Sequence, residues 1–105
     1  MDKEEAIKIA ERYAGIINQR FPVEKVVLYG SYSKGTHHAD SVIDLAVIFK
    51  SLENVTKRLI EIRRMRNDDS MMIEPYPFSQ EDFCLSNPVA KVILKTGIEI
   101  KNFAT

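Results

Sequence analysis

Three polar positions interrupt apolar runs in this chain, and each is of a type that can hold a phosphate or a cation. Val26, Val27, Leu28 and Tyr29 form a β-branched and aromatic run that stops at Gly30, where the missing Cβ lets the backbone turn sharply and approach a ligand. Ser31 follows with a hydroxyl and a free amide at the expected start of a short helix or turn, where N–H groups point towards anions. Phosphate suits such a turn. An ordinary strand-to-helix turn with serine as its cap would use the same two residues.

The second position is Asp44. Residues 43–49, IDLAVIF, read as a strand that is apolar apart from that carboxylate, and leaving it unpaired there would cost ~3 kcal/mol or more. A metal ion or a basic partner would compensate the charge, as would backbone amides. The third is Glu74, after the strand-like Met71, Met72 and Ile73, where Pro75 and Pro77 are expected to end the strand. Its alternative is a strand-end acid in solvent. Lys34, in the polar stretch between the first two strands, can neutralise a phosphate or simply stay solvated.

Together these residues resemble the DNA polymerase beta-like nucleotidyltransferases, in particular their minimal, single-domain bacterial and archaeal members. The family signature is glycine and serine, ten residues, then two acids separated by one. Here Gly30 and Ser31 precede ten residues, Tyr32 to Ser41, and Asp44 holds the second acid's place. Val42 holds the first. Glu74, within IEPYPF, matches the family's third acid on a later strand, and the resemblance runs from Val23 to about Phe83.

The resemblance implies an α/β sandwich with a small mixed β-sheet flanked by helices. It implies transfer of a nucleoside monophosphate from a nucleoside triphosphate, expected to be ATP, to an acceptor hydroxyl, with pyrophosphate leaving. Gly30, Ser31 and Lys34 would hold the triphosphate. Asp44 and Glu74 would be the catalytic and metal-binding residues of a two-magnesium (Mg2+) site, with Glu74 also helping to deprotonate the acceptor.

In the family the paired acids alternate along one strand, so both carboxylates face one side roughly 6–7 Å apart. Val42 leaves one carboxylate and an isopropyl group there, and transfer is expected to be impaired. Asp40 has the same parity and would substitute only if the strand extended backward through a polar stretch. The competing expectation is a catalytically degenerate nucleotide-binding module, or an antitoxin-like one that pairs with an all-helical HEPN-type protein. A second copy of the chain is the other candidate partner.

With 105 residues the chain fits one domain over 1–105, too small for a catalytic domain plus an elaborate acceptor-binding one. The acceptor is therefore expected to be recognised by a partner. Lys and Arg total 15 against 15 Asp and Glu, for zero net charge, which gives no electrostatic footprint for bulk nucleic-acid binding. The single Cys84 has no internal disulfide partner, and no Cys/His cluster has zinc spacing. The start, MDKEEAIKIA, lacks an uninterrupted apolar core, so neither a signal peptide nor a transmembrane helix is expected and the cytoplasm is the default.

The elements that must position these residues follow from periodicity. Ala6, Ile9, Ala10, Tyr13, Ile16 and Ile17 predict an amphipathic helix over 2–20, closed by Phe21-Pro22. Strands are expected over 25–29, 43–49 and 71–74, with a last short one over 98–100. A helix from about Leu52 to Asn67, capped by Ser51, would bury Leu52, Val55, Leu59, Ile62 and Met65. A short helix is expected over 79–84, started by Ser79, and a final one from Pro88 to Gly97.

Among the remaining polar and aromatic residues, His37 and His38 read as solvent-exposed. Arg63, Arg64 and Arg66 read as a basic cluster suited to a helix C-terminus, with Asp68 and Asp69 as pairing candidates. Tyr76 and Phe78 read as pocket wall or core, with Tyr76 the candidate contact for a nucleobase.

Overall fold

The computed structural model describes residues 2–37 and 41–103. Helix α1 (Lys3–Arg20) opens on Asp2, whose side chain accepts the Glu5 amide at 2.8 Å, and Glu4 and Glu5 favour the same helix end. It buries Ala6, Ala10, Tyr13, Ala14 and Ile17, the stripe that three-and-four spacing dictates. The order continues β1 (Val23–Tyr29), α2 (Ser31–Lys34), β2 (Ile43–Phe49), α3 (Val55–Arg64), a 3-10 turn (Asp68–Ser70), β3 (Ile73–Ser79), α4 (Pro88–Thr96) and β4 (Ile98–Glu99).

The four strands form one mixed sheet in the order β3-β2-β1-β4. β1 runs antiparallel to β2 and β4, and β2 runs parallel to β3. Because side chains alternate across a strand, the sheet has two apolar faces. One presents Val26, Leu28, Ile43, Leu45, Val47, Phe49 and Ile73 to the α1 stripe and to Ile62 of α3. The other presents Val27, Ala46, Ile48 and Phe78 to Phe83 and to Ala90 and Ile93 of α4. The result is the α/β sandwich expected.

Three expectations need correction. β3 does not end at Glu74 but runs through Pro75 and Pro77 to Ser79. The Met72 carbonyl accepts from the Ile43 amide at 2.8 Å and the Gln80 amide donates to Phe49 at 3.0 Å, so the even-numbered residues face β2. Both prolines fall in the odd set, where no ladder amide is lost on an edge strand.

α3 begins at Val55 with Asn54 as its cap, accepting from the Lys57 amide at 2.9 Å. Ser51 lies a turn too early. Asn is at least as good a cap as Ser, and starting there still buries Ile62. Ser79 ends β3 and residues 80–84 form turns and bends rather than a helix, with the Ser79 hydroxyl accepting from the Asp82 amide at 3.1 Å.

Candidate functional site

The candidate residues gather where β1 ends and the parallel pair β2 and β3 begins. Gly30 has φ 76° and ψ −148°, a conformation essentially closed to residues with a side chain. Its carbonyl accepts from the Lys34 amide at 3.1 Å and from the Ser33 hydroxyl at 2.9 Å, which fixes α2 onto the turn. Gly30 is the cap position and Ser31 the first helical residue. A Cβ on Gly30 would stand 3.2 Å from Cγ and 3.4 Å from Cβ of Asp44. Glycine is required twice over, by conformation and by the carboxylate packed against it.

Asp44 is the Cα partner of Tyr29 on β1 and of Glu74 on β3. Tyr29, Asp44 and Glu74 therefore form a row across three strands, on the α4 side of the sheet. Burial, and secondarily the charge of Glu74, raise the Asp44 carboxyl pKa above its ordinary value. Burial also raises the Tyr29 phenol, with Asp44, Tyr76 and Glu74 adding to it. A positive charge beside Asp44 would oppose both of these effects on its carboxyl.

Glu74 is differently placed. Its Oε2 accepts from Arg63 Nη2 at 3.2 Å, and its Oε1 lies 3.7 Å from Arg66 Nη1. These arginines come from the end of α3, whose Ile62 packs on the opposite face, so they reach Glu74 around the edge strand. Arg66 is anchored independently: it donates to the Ile73 carbonyl at 2.9 Å and to the Arg63 carbonyl at 3.2 Å. The expected partner Asp69 instead takes a bidentate pair from Arg12, both contacts at 2.8 Å, and the Arg12 hydrogen bond lowers its pKa.

Val42 lies one residue before β2 and is 42% exposed, between the buried Ser41 and Ile43. The alternation carries through, and its isopropyl group falls on the Asp44 side. Asp40 and His38 lie outside the described residues. Lys34 is exposed at the end of α2, one turn from Ser31. His37 is not solvent-exposed as expected: it is partly buried and stacks on the buried Tyr32 at 4.3 Å, its plane tilted 14°. Phe78 belongs to the core, and Tyr76 is exposed with its ring 5.1 Å from that of Phe78.

Among the described residues no group of three or more His, Cys, Asp or Glu could hold a metal ion. Asp44 and Glu74, register partners on adjacent strands, carry oxygen donors of the kind a divalent cation takes. Among the described residues a second ion has no donor set of its own.

Tyr29, Arg63 and Arg66 escaped the sequence reading as site residues. Tyr29 was open to inference as the last residue of the run before Gly30. The arginines carried no such signal, because their contact with Glu74 depends on which strand lies at the sheet edge.

Residues 10–77, more than half of the chain, match the model of the nucleotidyltransferase domain. Among solved structures, a Sulfolobus solfataricus protein assigned to the nucleotidyltransferases superposes with a TM-score of 0.69 at 19% identity, over 92% of this chain and 80% of that one. A toxin-antitoxin crystal structure with AMP-PNP superposes with a TM-score of 0.60 at 20% identity, over 100% of this chain and 75% of that one. At these identities the likeness establishes the fold alone. No curated protein matches the chain. No described helix is long and apolar enough to cross a membrane.

Proposed function

Because the chain belongs to the nucleotidyltransferase domain family, we propose that it binds a nucleoside triphosphate, ATP by preference, and that Val42 impairs its Mg2+-dependent transfer of the nucleoside monophosphate to an acceptor hydroxyl. The observation that carries this reading is the contrast between two neighbours of Asp44. Gly30 still packs against its carboxylate, while the position two residues before it, on the same side, is an exposed valine.

Each residue then has a role. The amides of the Gly30-Ser31 turn, the Ser31 hydroxyl and the Lys34 ammonium hold the triphosphate tail. Asp44 and Glu74 hold Mg2+, which when bound offsets charge on the reacting phosphate oxygens. Glu74, freed from Arg63, would help to deprotonate the acceptor. Mg2+ demands near-octahedral oxygen coordination, and Val42 supplies neither an oxygen nor a charge. Water can fill a vacant coordination position but not replace the lost charge.

The test is Mg2+-dependent incorporation of label from the four ribonucleoside triphosphates into candidate acceptors, including a co-purified partner, for this chain beside Val42→Asp. Rates higher by several orders of magnitude in Val42→Asp are expected. Equal, substantial rates in the two proteins would refute the role given to Val42.

A second reading, a catalytically degenerate, antitoxin-like partner-binding module, is favoured by the outer surface near α4. Leu85, Val89 and Val92 are 70%, 59% and 56% exposed there, an apolar set that suits a helical partner of the HEPN type. Val92→Glu would abolish such pairing while leaving nucleotide binding intact. A concentration-dependent dimer of the chain alone would instead assign the surface to a second copy.

A further inference from the structure

We propose that Arg63 and Arg66 set the cation requirement of the acid pair by acting as resident counter-ions of Glu74, so that a divalent cation binds only by displacing Arg63. The inference rests on the reading that Asp44 and Glu74 are the cation ligands, and it adds residues that neither the motif nor the comparisons assign.

The two acids share a register position on adjacent parallel strands, yet their surroundings differ. Asp44 packs against Gly30 and is flanked by Tyr29 and Glu74. Glu74 has two guanidinium groups within 4 Å. Arg66 is held by the carbonyls of Ile73 and Arg63, not by Glu74 alone, so its charge stays beside the acid whatever else binds. Arg63 contacts Glu74 through a single 3.2 Å hydrogen bond and is half exposed, so it is the one free to swing away.

A cation entering between Asp44 and Glu74 meets one carboxylate that gains from its arrival and one already neutralised. It must break the Arg63 bond and then sit close to the fixed charge of Arg66. Both effects weaken cation binding, and both originate on the far layer of the sandwich, carried around the edge of β3. Arg63 is thus a positioning residue that acts through Glu74 rather than on the substrate.

The experiment is direct titration of Mn2+, followed by its electron paramagnetic resonance signal, into the full chain without nucleotide. The proteins are wild type, Arg63→Gln, Arg63→Lys and Glu74→Gln, with Val42→Asp and Val42→Asp/Arg63→Gln as a second background. Arg63→Gln is expected to tighten Mn2+ binding by about fivefold or more in either background. Arg63→Lys, which keeps the charge, is expected to stay near wild type, and Glu74→Gln to weaken binding.

Unchanged or weaker binding in Arg63→Gln while Glu74→Gln still weakens it would overturn this inference and leave the proposed cation ligands standing. No Mn2+ binding by any of the proteins, Val42→Asp included, would overturn both. Thermal melts of each variant report folding separately from affinity.

Discussion

The carboxylate of Asp44 lies against the α-carbon of Gly30, so closely that a methyl group on Gly30 would come within 3.2 Å of its Cγ. The same glycine has φ 76° and ψ −148°, so the end of β1 has no room and no permitted conformation for a side chain. Gly30→Ala is therefore expected to cost about 1–3 kcal/mol from backbone strain alone and to push Asp44 out of its row. Gly35 supplies the control, since it also has a positive φ, 75°, but nothing lies within 4 Å of a Cβ there. Gly35→Ala should cost about 1 kcal/mol. Urea unfolding of the two variants would rank them, and nucleotide binding should be lost only in Gly30→Ala.

Asp44 should destabilise the fold at neutral pH when no cation is bound. Its carboxyl pKa is raised above the ordinary 3.8 by burial and by Glu74. Between the unfolded and folded values the native state binds more protons, so stability falls as pH rises through that window and stays lower above it. Asp44→Asn cannot ionise. It is expected to melt above wild type at pH 7 in chelator and to lose that advantage below the unfolded pKa, near pH 3. A constant difference across the range would show that ionisation of Asp44 is not its source.

These residues also show where the sequence is legible. IDLAVIF marks β2 as an apolar run that Lys50 and Ser51 close, and Pro88 and Gly97 bracket α4. Pro75 and Pro77 mislead because a proline ends a strand only when its nitrogen falls on the ladder side, and that depends on which strand is the edge. Gly30, Ser31, Asp44 and Glu74 could be picked out by type and spacing. The Arg63–Glu74 contact could not, since local reasoning already gave those arginines a role at a helix end. Charge pairing failed in the same way for Asp69, which lies beside the arginines in sequence but pairs with Arg12 of α1 in space.

Tyr13 should matter through its hydroxyl as well as its ring. Wholly buried on α1, it donates to the Ile62 carbonyl near the end of α3 and so ties the two helices together on one face of the sheet. Burial raises the phenol pKa strongly, so the hydroxyl keeps its proton. Tyr13→Phe removes one donor, while that carbonyl retains the Met65 amide at 3.2 Å. The expected loss is about 1 kcal/mol, against about 2–5 kcal/mol for Ile62→Ala, which empties core volume. Denaturant midpoints would separate the two, and similar losses would mean that the hydrogen bond matters far more than a neutral pair should.

Val42→Asp should trade intrinsic stability for cation-dependent stability. At 42% exposure the valine gives up little apolar burial, so its loss costs under about 1 kcal/mol. The new carboxylate, however, joins Asp44 and Glu74 on one side of the sheet, and like charges repel. In chelator the variant should melt below wild type. Magnesium should reverse the order, because a ligand that binds only the folded state stabilises it according to its saturation, by about 2.7 kcal/mol at a hundred times its dissociation constant. The measurement is the Mg2+-induced shift in melting temperature of the two proteins side by side. A larger shift in Val42→Asp would support position 42 as a cation-ligand position, whereas equal shifts would mean that a carboxylate there adds nothing to cation binding and would count against the role proposed for Val42.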